Sequence, residues 1–155
     1  MRSKAWEALP PDSRFWCFSS AKPWSPAKQS MVDQHLDTLC AEWAAHGSPV
    51  MAGFCTVERR LIALAVDEGQ HAASGCSIDS RMKALTALSI ALDIDLFGRM
   101  HIHHRQASSS DWQRISLSEA KKAEGEFLNT VADKKGLWSP ILSVKDSWLC
   151  PTKRG

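Results

Sequence analysis

An α+β fold, with two helices laid over one face of an antiparallel sheet, is what the order of apolar patterns in this chain predicts. Three observations carry the prediction. Short apolar runs at 14–18, 50–57, 60–66 and 97–105 have the length and the β-branched or aromatic content of strands. Two longer segments carry helical spacing: Val32, Leu36, Leu39, Cys40 and Trp43 in one, Ile78, Met82, Leu85, Leu88 and Leu92 in the other. The two kinds alternate as β-α-β-β-α-β, the ferredoxin-like order, in which both helices cover one face of the sheet.

Each element has its own local reasons. Met1 to Ser13 holds two prolines and little periodicity, and reads as an arm. Arg14-Phe-Trp-Cys-Phe18 is a short aromatic strand. Ser25-Pro26 supplies an N-cap followed by proline at the first helical position, and Gly47 with Pro49 supplies the stop. In the strand Val50 to Val57, Gly53 marks a bulge or a close approach of another backbone. Glu58-Arg59 makes a two-residue hairpin turn, though without the usual Gly or Asn. Arg60 to Val66 then returns as a central strand. Ser77 is placed to cap the second helix, which Asp93 to Asp95 ends. Farther on, Ala107 to Asp111 is a serine-rich loop and Trp112 to Leu117 a short strand. Ser118 to Leu128 reads as a charged surface helix and Trp138 to Val144 as a last strand. The 155 residues are expected to form a single domain, with the ferredoxin-like core at 14–105 and a mixed C-terminal extension at 106–155.

Composition narrows the function classes. The first 78 residues carry seven basic and eight acidic side chains, the remaining 77 twelve and nine. That even spread lacks the basic stripe of a nucleic-acid footprint, so no nucleic-acid partner is expected. Cys17, Cys40, Cys55, Cys76 and Cys150 are odd in number and include no C-x-x-C pair, which fits neither a disulfide framework nor a zinc ribbon. The opening Met-Arg-Ser-Lys-Ala-Trp-Glu has no apolar signal-peptide core, and no run reaches membrane-spanning length. A cytoplasmic protein without membrane attachment is the expectation.

The most site-like stretch runs from Asp67 to Arg81. An apolar strand ends in Asp67 and Glu68, a loop of small residues follows, and Cys76 sits where a helix begins. A helix N-terminus presents unpaired N–H groups and partial positive charge, which favours anions and lowers a nearby thiol's pKa. Ser74 and Gly75 can shape a backbone nest for a carboxylate or phosphate, or simply a turn. Ser77, Asp79 and Ser80 are capping residues first, and the charge of Asp79 opposes a phosphate there. The predicted topology also has a consequence in space. Parallel crossovers and one hairpin would gather Arg14, His46 with Gly47, the 67–80 loop and His101 to Arg105 on a common rim. His101 and His103 share one strand face, an arrangement some metal sites use, but no third ligand is fixed by spacing, so no metal is expected.

The blocks Ser13-Arg-Phe-Trp, Trp43-Ala-Ala-His-Gly47, Leu64-Ala-Val-Asp-Glu68, Ala73-Ser-Gly-Cys-Ser-Ile-Asp-Ser80 and Asp95-Leu-Phe-Gly-Arg-Met100 together carry a resemblance. The chain resembles a family of small uncharacterised proteins, found mainly in Bacteroidetes and often labelled "ABC transporter ATPase". The family pattern has Asp where this chain has Gly98. The label implies nucleotide hydrolysis, yet no G-x-x-x-x-G-K-[ST] loop is present, so the β- and γ-phosphates have no recognised cradle.

The functional expectation is a small binding or regulatory domain that holds a small polar or anionic ligand. Arg14, His46, Asp67, Ser74, Gly75, Cys76, Ser77, Asp79, Ser80 and His103 are the candidate binding residues. Two alternatives stand beside it. One is an enzyme using Cys76 as nucleophile with His46 or His103 as base; the other is a protein–protein interaction module acting through a sheet face. No cofactor and no oligomeric state are implied by the residues.

Overall fold

A computed structural model describes residues 2–45, 48–68, 75–96 and 101–150. It mixes helices with antiparallel sheets, the α+β class that the patterning predicts. The chain divides into two compact units, Met1–Phe97 with Val131–Trp138, and Gly98–Thr130 with Ser139–Gly155. Residues 131–138, expected in a C-terminal extension, thus belong to the first unit.

The first unit opens with a short helix, α1 (Lys4–Ala8), capped by the Ser3 hydroxyl, which accepts from the Trp6 N–H. Strand β1 (Arg14–Ser19) follows. Ser25 precedes a 3-10 turn at Pro26–Lys28 and makes no side-chain cap bond, so helix α2 (Gln29–Ala41) starts later than the Ser-Pro signal suggests. A pair of two-residue strands, β2 (Ala44–Ala45) and β3 (Ser48–Pro49), leads into β4 (Met51–Val57), β5 (Leu61–Asp67) and helix α3 (Gly75–Leu92). Because α3 begins at Gly75, Ser77 lies inside its first turn rather than ahead of it as the cap.

The three long strands form one antiparallel sheet in the order β1-β5-β4, with Arg14 opposite Val66 and Met51 opposite Asp67. Period-two alternation sends Trp16, Phe18, Phe54, Ile62, Leu64 and Val66 to one face, where they meet Val32, Leu36 and Leu39 of α2 and Leu85, Leu88 and Leu92 of α3. The opposite face carries Gly53, Cys55, Ala63 and Ala65, small enough for large rings to pack against it. Trp6 and Leu9 cover it, and Phe15, Trp6 and Trp138 pack against one another, with Phe15 6.4 Å from Trp6 and 5.0 Å from Trp138. Burial on both faces explains why Leu61 to Val66 reads as an unbroken apolar run. Glu58 and Arg59 close the hairpin with left-handed backbone at φ 56° and 52°, the twist a tight hairpin needs, although neither is Gly or Asn.

Helix α3 ends in a left-handed residue. Asp93 has φ 52°, its N–H donates to the Ile90 carbonyl, and the Ile94 N–H donates to the Ser89 carbonyl at 3.0 Å. This is the helix-ending geometry that glycine fits best, and a carboxylate there opposes the helix dipole. Asp93→Gly is therefore expected to stabilise the protein by about 1 kcal/mol, because it removes the left-handed penalty on a side-chain-bearing residue. Equilibrium urea unfolding of the two proteins measures the difference.

The second unit holds a four-stranded antiparallel sheet in the order β7-β6-β8-β9: β6 (His101–Arg105), β7 (Gln113–Ser116), β8 (Glu126–Leu128) and β9 (Ile141–Ser143). The segment expected as the fourth strand of the ferredoxin-like sheet is β6, and it pairs here with β7 and β8 instead. The surface helix expected over 118–128 is only α4 (Leu117–Lys122). A reciprocal capping box between Ser116 and Glu119 starts it, and Gly125 at φ 97° turns the chain so that β8 can bury Phe127 and Leu128. Ile102, Ala120, Phe127, Val144 and Leu149 form the core, and Asn129 ties it together by accepting from the Trp148 indole N–H at 3.0 Å. Among the described residues, no helix is long and apolar enough to cross a membrane.

Candidate functional site

Arg14 and Asp67, both expected on a rim, come together in the first unit, while the expected His46 and Gly47 lie outside the described residues. The start of β1, the start of β4 and the end of β5 lie at one end of the sheet, fixed by the register of Arg14 with Val66 and of Met51 with Asp67. The end of α2 joins them, because the Val50 N–H donates to the Trp43 carbonyl at 3.3 Å. Helix α3 starts at the same end. Arg81, in its second turn, donates to the Leu39 carbonyl at 2.9 Å and lies 3.9 Å from the Glu42 carboxylate.

Arg14 is the centre of this rim. Its guanidinium lies 4.9 Å from the centroid of the Trp16 ring and 3.3 Å from a Glu68 carboxylate oxygen. Arg14 and Trp16 are two apart on a strand and so share a face. Trp16 in turn stacks on Trp43, with centroids 5.6 Å apart and planes at 29°. A cation, an indole and a second indole thus form a ladder from the strand end down to the core. Trp43 is 3% exposed, and its indole N–H finds no hydrogen-bond partner among the described residues. A buried donor left unpaired is costly, about 1–3 kcal/mol, and calls for an explanation.

Arg105 in the second unit shows how a committed arginine differs. It sits 4.2 Å over the Trp112 ring, and both Nε and Nη2 reach one Glu126 oxygen at 2.8 Å. Its side chain is 14% exposed, against 46% for Arg14. Arg14 makes one longer contact with Glu68 from a half-open position; exposed pairs of that kind are worth about 0.5 kcal/mol, so an incoming anion can take the place of Glu68 cheaply.

The remaining expected residues fall as follows. Asp67 ends β5, half-buried beside Glu68, and Asp79 lies exposed on α3. Gly75 opens α3, and the side chains of Cys76, Ser77 and Ser80 in its first turns lie outside the described residues, as do His46 and Ser74 altogether. His103 is buried in β6 of the second unit, opposite Arg114. Sequence reasoning placed Trp16 in the first strand and Trp43 in the apolar stripe of the first long helix, and neither at the site. The Arg-x-Trp spacing within a strand was the signal that Arg14 and Trp16 share a face. Among the described residues, no three His, Cys, Asp or Glu side chains are grouped as metal ligands.

Cys17, Cys40 and Cys55 are poor nucleophiles. Burial pushes Cys17 and Cys55 up from the ordinary thiol range, and burial, with the Asp37 carboxylate nearby, pushes Cys40 up to about 12. A raised pKa keeps the thiol neutral at pH 8, where only the thiolate alkylates. Iodoacetamide treatment of the native protein at pH 8 should leave Cys17, Cys40 and Cys55 unmodified while free cysteine reacts fully. Peptide mass spectrometry reads the result.

No family model matches the chain, and no curated protein or solved structure is significantly similar to it. The functional reading therefore rests on the chemistry of the rim.

Proposed function

We propose that this protein is a small binding or regulatory domain, and that the rim of the first unit holds a small polar or anionic ligand. The observation that carries the reading is Arg14: a half-exposed guanidinium, oriented by the face of Trp16 and held by one weak ion pair with Glu68. The ligand's anionic group replaces Glu68 on the guanidinium, where a charge-assisted bidentate contact is stronger than the single existing one. The buried Trp43 N–H and the start of α3 lie at the same end of the sheet and supply further donors. The reading takes the first unit as a ferredoxin-like arrangement, which the sheet order β1-β5-β4 with both long helices on one face supports, although β6 pairs elsewhere.

Thermal unfolding in the presence of inorganic phosphate, AMP or citrate tests the proposal. At ten times its Kd a ligand stabilises the native state by about 1.4 kcal/mol, and the matching rise in Tm should appear for at least one of the three. Arg14→Ala should fold normally, given its exposure, and lose that rise. No stabilisation by any of the three, or an equal rise in the variant, counts against the rim.

A further inference from the structure

The outer edge of β4 leaves one backbone step open. The hydrogen bond from Ser20 N–H to the Arg60 carbonyl sets the phase of the β1–β5 ladder, so Ile62, Leu64 and Val66 bond to β1, and Leu61, Ala63, Ala65 and Asp67 bond to β4. Ala52, opposite Val66, therefore points its N–H and C=O away from β5. Its neighbours along that edge are occupied. Phe54 accepts from the Ser3 N–H at 3.0 Å and donates to the Ser3 hydroxyl at 3.1 Å, while the Val50 N–H is taken by Trp43. Ala52 has no such partner among the described residues, although it is only 7% exposed.

Ala52 lines a groove of about 570 Å³. One wall is the N-terminal arm with Arg2 and Lys4; the other is α2 with Asp37 and Cys40; Met51, half exposed, lies at the lip. Lys4 and Asp37 are exposed and form no ion pair among the described residues. Arg2 pairs with the exposed Glu7 at 2.9 Å and also reaches the Cys55 thiol. A volume in the range of small-ligand sites thus combines an unpaired donor and acceptor, basic groups on one wall and a carboxylate on the other.

We propose that this groove binds a short free peptide, two or three residues long, in an extended conformation. The peptide's main chain pairs with the N–H and C=O of Ala52, its carboxylate faces Arg2 and Lys4, and its ammonium faces Asp37. A simple anion would satisfy the N–H and leave the C=O unpaired, whereas a peptide unit supplies both partners at strand spacing. Ser3 on one side and Trp43 on the other leave room for a single step of pairing, which limits the ligand to a short peptide.

Titration of the ¹⁵N-labelled full chain with trialanine tests this site independently of the rim. The Ala52 amide should shift with added trialanine, and its exchange with solvent deuterium should slow. Lys4→Glu should weaken binding by about tenfold and Asp37→Asn by about threefold, as expected for one reversed and one removed charge. Arg14→Ala should bind trialanine like the wild type, and N-acetyl-trialanine amide, lacking both charges, should bind weakly. An Ala52 amide unmoved at millimolar trialanine overturns the proposal. Equal binding of acetate alone also overturns it, and so does a shift of that amide with protein concentration in the absence of peptide, which would put a second copy of the chain on the edge.

Discussion

Trp24→Ala is expected to cost about 3–5 kcal/mol, the range for removing a fully buried large aromatic side chain from a core. Trp24 is 1% exposed although it sits in the connection between β1 and α2. Its side chain enters the cluster between the sheet and the two long helices. Its backbone fastens the β4–β5 hairpin: the Trp24 N–H donates to the Arg59 carbonyl at 3.0 Å, and the Arg59 guanidinium donates to the Trp24 carbonyl. The indole N–H also donates to Gln29 at 2.8 Å, and Gln29 bridges onward to Asp33 and Thr56. Alanine leaves a cavity and deprives Gln29 of a partner, while Trp24→Phe keeps most of the volume and should cost about 1–2 kcal/mol. Urea unfolding of both variants gives the comparison. Equal small losses would mean that the loop is not anchored through this ring.

Gly53→Val is expected to destabilise by about 3 kcal/mol, at the upper end for overpacking, because the obstacle is backbone and not a movable side chain. A Cβ at Gly53 would lie 2.7 Å from the Trp6 nitrogen and 2.9 Å from its Cα. Helix α1 must then lift off the sheet, and the Ser3 bonds to Phe54 that hold it to the β4 edge must stretch with it. Trp6 would lose its packing against Phe15 and Trp138. Unfolding by urea should show the loss, and native tryptophan emission should move to the red as Trp6 becomes wet. Gly53→Ala should show the same effects at smaller amplitude. A valine variant as stable as the wild type would contradict the close approach.

Much of the first unit was legible in the sequence, for identifiable reasons. The strands at 14–19, 51–57 and 61–67 and the two long helices follow from local apolar spacing, and of the two readings of Gly53, a bulge or a close backbone approach, the second describes the contact with Trp6. The second sheet was less legible, because β6 looks like a strand in isolation and its choice of β7 and β8 is made by pairing partners distant in sequence. The span 118–128 is charged and helix-favouring throughout; Gly125 was the one stop signal, and the burial of Phe127 decided the matter. At the rim, Arg14 and Asp67 were found by ordering the strands. The stacking of Trp16 on Trp43 was not, since it depends on how the end of α2 sits over β1. His103 was placed on the rim by the expected fourth strand, and with β6 in the second sheet that reason for including it falls away.

The indole N–H resonances of the chain's seven tryptophans report where a ligand binds. During titration with phosphate, AMP or citrate, the Trp16 and Trp43 indole signals should move together with a single Kd, and Arg14→Ala should abolish the movement. Trp112 and Trp148, in the second unit, should stay fixed. Movement confined to Trp112 or Trp148, or an unchanged titration in the Arg14 variant, would contradict a ligand site on the rim of the first unit.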